Sequence, residues 1–111
     1  MSDIERVHLE NFETQVIERS FTIPVLVDFT ATWCGPCRVL LPILSELATR
    51  ASDQFLIVQV DTDEEQKLAG RYGIQSLPTL KLFQNGQVVE EILGVKSMGF
   101  LLDMIHRHMS D

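Results

Sequence analysis

Two hydrophobic rhythms alternate along this chain. Pro24-Val25-Leu26-Val27-Asp28-Phe29-Thr30 is apolar on both faces except at Asp28, as a central parallel strand should be. Leu40, Ile43, Leu44, Leu47, Ala48 and Ala51 then follow the i, i+3, i+4, i+7, i+8, i+11 template of a helix, with Arg38, Ser45, Glu46, Thr49 and Arg50 opposite. Pro42 lies inside that pattern and should bend the helix rather than end it. Phe55 to Val60 reads as a second buried strand, and Glu64 to Tyr72 as a short helix with acidic residues in its first turn and Gly73 as its stop.

Beyond the loop Ile74-Gln75-Ser76-Leu77-Pro78, Thr79 to Phe83 alternates as a half-exposed strand. Asn85-Gly86 signals a hairpin, and Val88 to Leu93 returns antiparallel. Met98, Leu101, Leu102, Ile105 and Met109 form the inner stripe of a terminal helix. At the other end, Asn11 should cap a first short helix that turns Phe12 and Val16 inward. This order predicts an α/β fold: a central mixed sheet with helices packed on it.

A chain of 111 residues, 45% hydrophobic and 23% charged, makes one domain over 1–111 with a core that needs no disulfide staple. The net charge of −7 argues against nucleic-acid and anionic-membrane partners. No apolar run reaches the roughly 20 residues of a membrane span. The start, Met1-Ser2-Asp3-Ile4-Glu5-Arg6, lacks a signal-peptide hydrophobic region. A reducing, cytoplasmic setting fits that start and the count of two cysteines. A chain with its signal removed would read the same.

Those two cysteines stand three apart in Trp33-Cys34-Gly35-Pro36-Cys37, between the first strand and the long helix. A structural staple is a poor explanation, because so short a loop closes very little chain entropy. A zinc half-site would need two more ligands. His106 and His108 point to nearly opposite sides of a helix, and His8 lies at the far end of the chain. Two unrelated buried thiols remain open. The strand-turn-helix setting favours redox chemistry: unpaired N–H groups and the positive end of the helix dipole favour a sulfur anion at Cys34. Cys34 should be the exposed nucleophile. Cys37, one turn in on the same side and more buried, should be the resolving thiol.

Asp28 shares a strand face with Leu26, so desolvation should raise its pKa. It either accepts structural hydrogen bonds or takes the proton of Cys37 through water. Pro78 follows an apolar residue, and the base rate for X–Pro bonds makes trans the default. Trp33 should be half core and half contact surface; Gly86 and Gly94 read as turn glycines.

Taken together these residues resemble the thioredoxin family over nearly the whole chain. The resemblance rests on the Val27-Asp28-Phe29 strand before Trp33-Cys34-Gly35-Pro36-Cys37, Pro42, Asp61, Leu77-Pro78-Thr79, Asn85-Gly86 and Gly94. It implies the thioredoxin fold, a central mixed β-sheet flanked by helices on both faces. It also implies a cis peptide before Pro78, which replaces the default. Trp33, Gly35, Pro36, Leu77, Pro78, Gly94 and Val95 would border a groove for an extended substrate peptide. A thiol pKa near 7 for Cys34, about 2 kcal/mol of preferential anion stabilisation, is a value of the family itself and comes with the resemblance.

The implied activity is reduction of protein disulfides by Cys34–Cys37 exchange in a monomer. Electrons would come from NADPH through thioredoxin reductase, with no bound cofactor and no metal. Gly35-Pro36 resembles the reducing branch. A binding domain of a chaperone-type protein is the rival, but it has no need of both thiols. Three positions depart from the family pattern. Thr30 stands where a tryptophan is common, so the core beside the site is repacked. Gln59 replaces a lysine near Asp28, which makes that carboxyl harder to ionise. Thr32 precedes Trp33, a minor surface change.

Overall fold

The computed structural model describes residues 4–51 and 53–109. Met1–Asp3, part of the start that lacks a signal-like region, lie outside the described residues, as do Ser52, Ser110, Asp111 and the side chain of Ala51. The elements are β1 (Glu5–Arg6), α1 (Leu9–Phe12), β2 (Val25–Thr30), α2 (Gly35–Ala51), β3 (Leu56–Asp61), α3 (Gln66–Arg71), β4 (Thr79–Gln84), β5 (Gln87–Leu93) and α4 (Met98–Arg107). α1 continues as a π-helical segment, Glu13–Glu18, and a 3-10 turn, Arg19–Phe21. The five strands form one sheet in the order β1-β3-β2-β4-β5. β1 and β2 pair with β3 in parallel, while β4 pairs antiparallel with both β2 and β5.

Strand alternation sends side chains into two separate cores. Leu26, Ile57, Leu80, Leu82 and Ile92 meet Leu40, Leu44 and Leu47 of α2 and Leu101, Met104 and Ile105 of α4. Val25, Val27, Phe29, Val58, Val60 and Phe83 meet Phe12, Val16 and Leu68 on the opposite side. Helices therefore cover both faces, as the resemblance implies. β2 is buried along its full length. Asp28, in step with Leu26, points to the face covered by α2 and α4 and stands opposite Leu80.

Several expectations change. β1 adds a fifth strand, too short to show a period in the sequence. Asn11 does not cap α1 but sits within it, its side-chain oxygen accepting the His8 backbone N–H at 2.8 Å. α3 starts only at Gln66, and Glu65 instead takes the Leu9 N–H (3.0 Å) and pairs with the His8 ring (2.7 Å), tying the N-terminal segment to α3. β4 is buried on both faces rather than half exposed. It lies between β2 and β5, and Lys81 is neutralised there by Glu91 at 2.7 Å. Ser45 is buried at the border of the apolar stripe, Met104 joins the inner side of α4, Met98 and Leu102 are only partly covered there, and Met109 falls beyond the end of the helix.

The turn predictions hold. α2 runs on through Pro42. Asn85 and Gly86 take positive φ of 55° and 80°, the left-handed pair a two-residue hairpin needs. Gly73, at φ 63°, follows the end of α3.

Candidate active site

Cys34 occupies the N-cap of α2. Its carbonyl accepts the Arg38 N–H at 3.3 Å, and its Sγ accepts the Cys37 N–H at 3.2 Å. Pro36 falls in the first turn, where a missing N–H breaks no intrahelical bond. Backbone geometry therefore aims a donor and the positive end of a 17-residue helix at this sulfur. Cys34 and Cys37 are joined in a disulfide with their Cα atoms 5.3 Å apart. Ala31 and Leu77 pack around the pair.

One expectation fails here. Cys34 is not the more exposed cysteine: both retain only 4% of their surface. In the oxidised state each sulfur is turned toward the other and shares one small apolar cluster, so exposure does not distinguish them.

Asp28 is 1% exposed, and burial raises its pKa to about 6, with a hydrogen bond from Gln59 pulling the other way. That bond runs from Gln59 Nε2 to Oδ2 at 3.0 Å, across the register pair Asp28–Gln59 of β2 and β3. Oδ1 is left without a protein partner. The neutral amide in place of a cation explains why desolvation dominates.

Two openings flank the disulfide. The larger, about 430 Å3, is lined by Trp33, Cys34, Gly35, Pro36, Thr62, Ala69, Ile74, Gln75, Ser76 and Leu77. Trp33 is 65% exposed, so it is contact surface rather than core, and its indole N–H donates to Asp63 Oδ2 at 2.8 Å. The Leu77–Pro78 bond is cis. Gly94 and Val95 do not line this opening. The Gly94 N–H donates to the Pro78 carbonyl at 2.9 Å, which places Gly94 beyond the cis bond, and the adjoining Val95 is exposed. Thr62, Ala69, Ile74, Gln75 and Ser76 went unmarked in the sequence, since only the fold brings them to Trp33; nothing in their residue types marks them.

The smaller opening, about 200 Å3, lies on the Cys37 side and includes Thr30 and Gln59 in its wall. Elsewhere His8, Glu64 and Glu65 offer ligand atoms within 4.8 Å of one another. His8 is already paired with Glu65, and Arg6 approaches Glu64 at 3.5 Å, so this cluster is accounted for by its own ion pairs. No helix among the described residues is long and apolar enough to cross a membrane.

A disulfide four residues round, seated at a helix N-terminus above a mixed sheet, defines a thiol–disulfide oxidoreductase. Comparison with known proteins agrees. A family model described as Thioredoxin matches residues 3–107. Thioredoxin 1 of Synechococcus elongatus is 45% identical over 98 residues, 88% of this chain and 90% of its own. The thioredoxin of Bacillus subtilis is 44% identical over 85 residues, 77% and 82% of the two chains. Thioredoxin 1 of Nostoc is 38% identical over 109 residues, 98% of this chain and 100% of that one. The chain belongs to the thioredoxin family, and its activity is protein-disulfide oxidoreduction. The rival reading as a binding domain is not favoured, because the two cysteines stand as a bonded redox pair.

Proposed function

We propose that this protein is a single-domain, monomeric cytoplasmic electron carrier that reduces protein disulfides, recharged by an NADPH-dependent thioredoxin reductase, with its electrons held on sulfur rather than on a bound cofactor. The Cys34 thiolate attacks one sulfur of a target disulfide, forming a mixed disulfide and expelling the other target thiolate. Cys37 then loses its proton to Asp28 through water and attacks Cys34 Sγ. The second target thiolate leaves, and Cys34–Cys37 is oxidised. Two electrons pass from the dithiol to the target.

The observation that supports this most is the N–H of Cys37 directed at Cys34 Sγ from 3.2 Å at the start of α2. That donor favours the anion over the thiol. Asp28 suits a proton acceptor because its pKa, about 6, lies near neutrality and Oδ1 is uncommitted. The opening beside Trp33 and Leu77 carries no charged side chain, which suits an extended peptide bound through its backbone. A bound peptide would extend past that opening, over Pro78 to Gly94 and Val95, which lie outside its wall. Gly35 and Pro36 let a partner approach the sulfur closely.

NADPH consumption with thioredoxin reductase and a disulfide-bonded protein such as insulin tests the reading. Sustained turnover dependent on this protein is expected; absence of turnover would remove the reductase assignment.

A further inference from the structure

Asp61, Asp63, Glu64 and Glu65 crowd the turn that leaves β3. Three of them are matched from within the protein: Arg6 stands 3.7 Å from Asp61 and 3.5 Å from Glu64, and the His8 ring 2.7 Å from Glu65. Asp63 is the exception. It is exposed and makes no ion pair among the described residues. Its Oδ2 accepts the Trp33 indole N–H at 2.8 Å, and no protein donor among those residues reaches Oδ1. The backbone holds it still, with the Asp63 N–H on Asp61 Oδ1 at 2.9 Å and its carbonyl accepting from Gln66 Nε2 at 3.4 Å. An unmatched carboxylate is thus fixed to the edge of the ring that walls the larger opening.

Charge is laid out unevenly around that opening, whose own wall is uncharged. Arg38 lines the smaller opening instead, with Nε and Nη2 on the Thr32 carbonyl at 3.2 and 2.9 Å. Lys96 follows Val95, past the cis bond, and its Nζ lies 5.7 Å from the centre of the Phe100 ring. A peptide in the groove therefore meets a free negative charge beside Trp33 and a positive one toward its other end.

We propose that Asp63 sets the substrate preference of this groove, selecting target disulfides whose cysteine is flanked by arginine or lysine. The proposal rests on the reading of the larger opening as the place where the target peptide lies. Trp33, 65% exposed, offers its ring to the stem and charge of a cationic side chain. The same side chain then brings its charge to the free Asp63 oxygen at the ring's edge. Glutamine in that place makes neither contact, and glutamate is repelled. Both contacts stand in water, so each is weak alone, and together they amount to about a fivefold preference.

Two peptides test it, identical but for arginine or glutamine on both sides of one cysteine, each supplied as its symmetric disulfide. Each rate with the reduced protein is divided by the rate with dithiothreitol, which removes the peptides' own difference in leaving-group reactivity. In about 0.1 M salt the arginine peptide should react about fivefold faster, and Asp63→Asn should bring that ratio below about twofold. The asparagine oxygen still accepts the Trp33 N–H, and a displaced ring would alter both rates alike, so the ratio reads the charge. Glu46→Gln controls for the net charge of −7. It removes an equal charge about 18 Å along α2 from Cys34, beyond the screening length of about 10 Å, and should keep the fivefold ratio. A parent ratio below about twofold, a ratio unchanged in Asp63→Asn, or an equal fall in Glu46→Gln overturns the proposal and leaves protein-disulfide reduction standing. Failure of the parent to reduce either peptide removes the groove reading, and the proposal with it.

Discussion

The two sides of the Cys34–Cys37 disulfide share cysteines of equal burial and differ in everything around them. Toward Trp33 and Leu77 the wall is uncharged and wide, about 430 Å3. Toward Thr30 and Gln59 it is narrow, about 200 Å3, and carries two arginines and an aspartate. Reactivity and access are therefore set separately in this molecule. Reactivity comes from the backbone at the start of α2, which acts on Cys34 whichever side is approached. Access comes from side chains contributed by β2, β3, α2 and the loops.

The largest effect that could break this comparison comes from the sulfurs themselves. Cys34→Ser should lower insulin reduction about a thousandfold or more, and Cys37→Ser should trap target proteins covalently on Cys34. Equal trapping by Cys34→Ser would show that Cys37 serves as a nucleophile and that the assignment of Cys34 is wrong. Asp28→Asn comes next. Stopped-flow assays should show release of the mixed disulfide slowed about tenfold with initial attack little changed. Equal slowing of both steps would reduce Asp28 to a structural carboxylate.

The same variant tests stability. The folded pKa of about 6 exceeds the ordinary 3.8, so between those values the unfolded chain has lost a proton that the native protein keeps. Native stability therefore falls as pH rises across that window and is level above it, a loss of about 3 kcal/mol by pH 7. Denaturant unfolding of Asp28→Asn should show that loss recovered and the slope between pH 4 and 6 removed. A smaller effect sharpens the contrast between the sides. Trp33→Ala should raise the KM for insulin about fivefold while leaving alkylation of Cys34 by iodoacetamide within about twofold of the parent. The smallest lies on neither side. Glu65 holds the His8 pKa above its usual value, chiefly through their hydrogen bond, so Glu65→Gln should lower it in an NMR titration without altering insulin reduction.

Much of the frame was legible because its signals are local and repeated. β2 and α2 declare themselves by period, the hairpin by Asn85-Gly86, and the redox pair by its position between them. What escaped depends on long-range pairing. β1 is two residues long and exists because β3 offers it an edge. β4 alternates in sequence, yet the strand and helix neighbours that bury it come from elsewhere in the chain. Within the site, Asp28 and its Gln59 neighbour were readable from the strand pattern and the family resemblance. The cis bond at Pro78 needed the resemblance, since base rates favour trans. The equal burial of the two cysteines, and the two unlike openings beside them, depend on walls assembled from distant segments and had no sequence signal.

The most direct measurement follows the rate of iodoacetamide alkylation of the reduced protein against pH, with the modified cysteine located by peptide mass. Cys34 should react first, along a curve with its midpoint at about 7, below the roughly 8.5 of a free thiol. A Cys34 that stays protonated and unreactive at pH 8 in the folded protein contradicts the account.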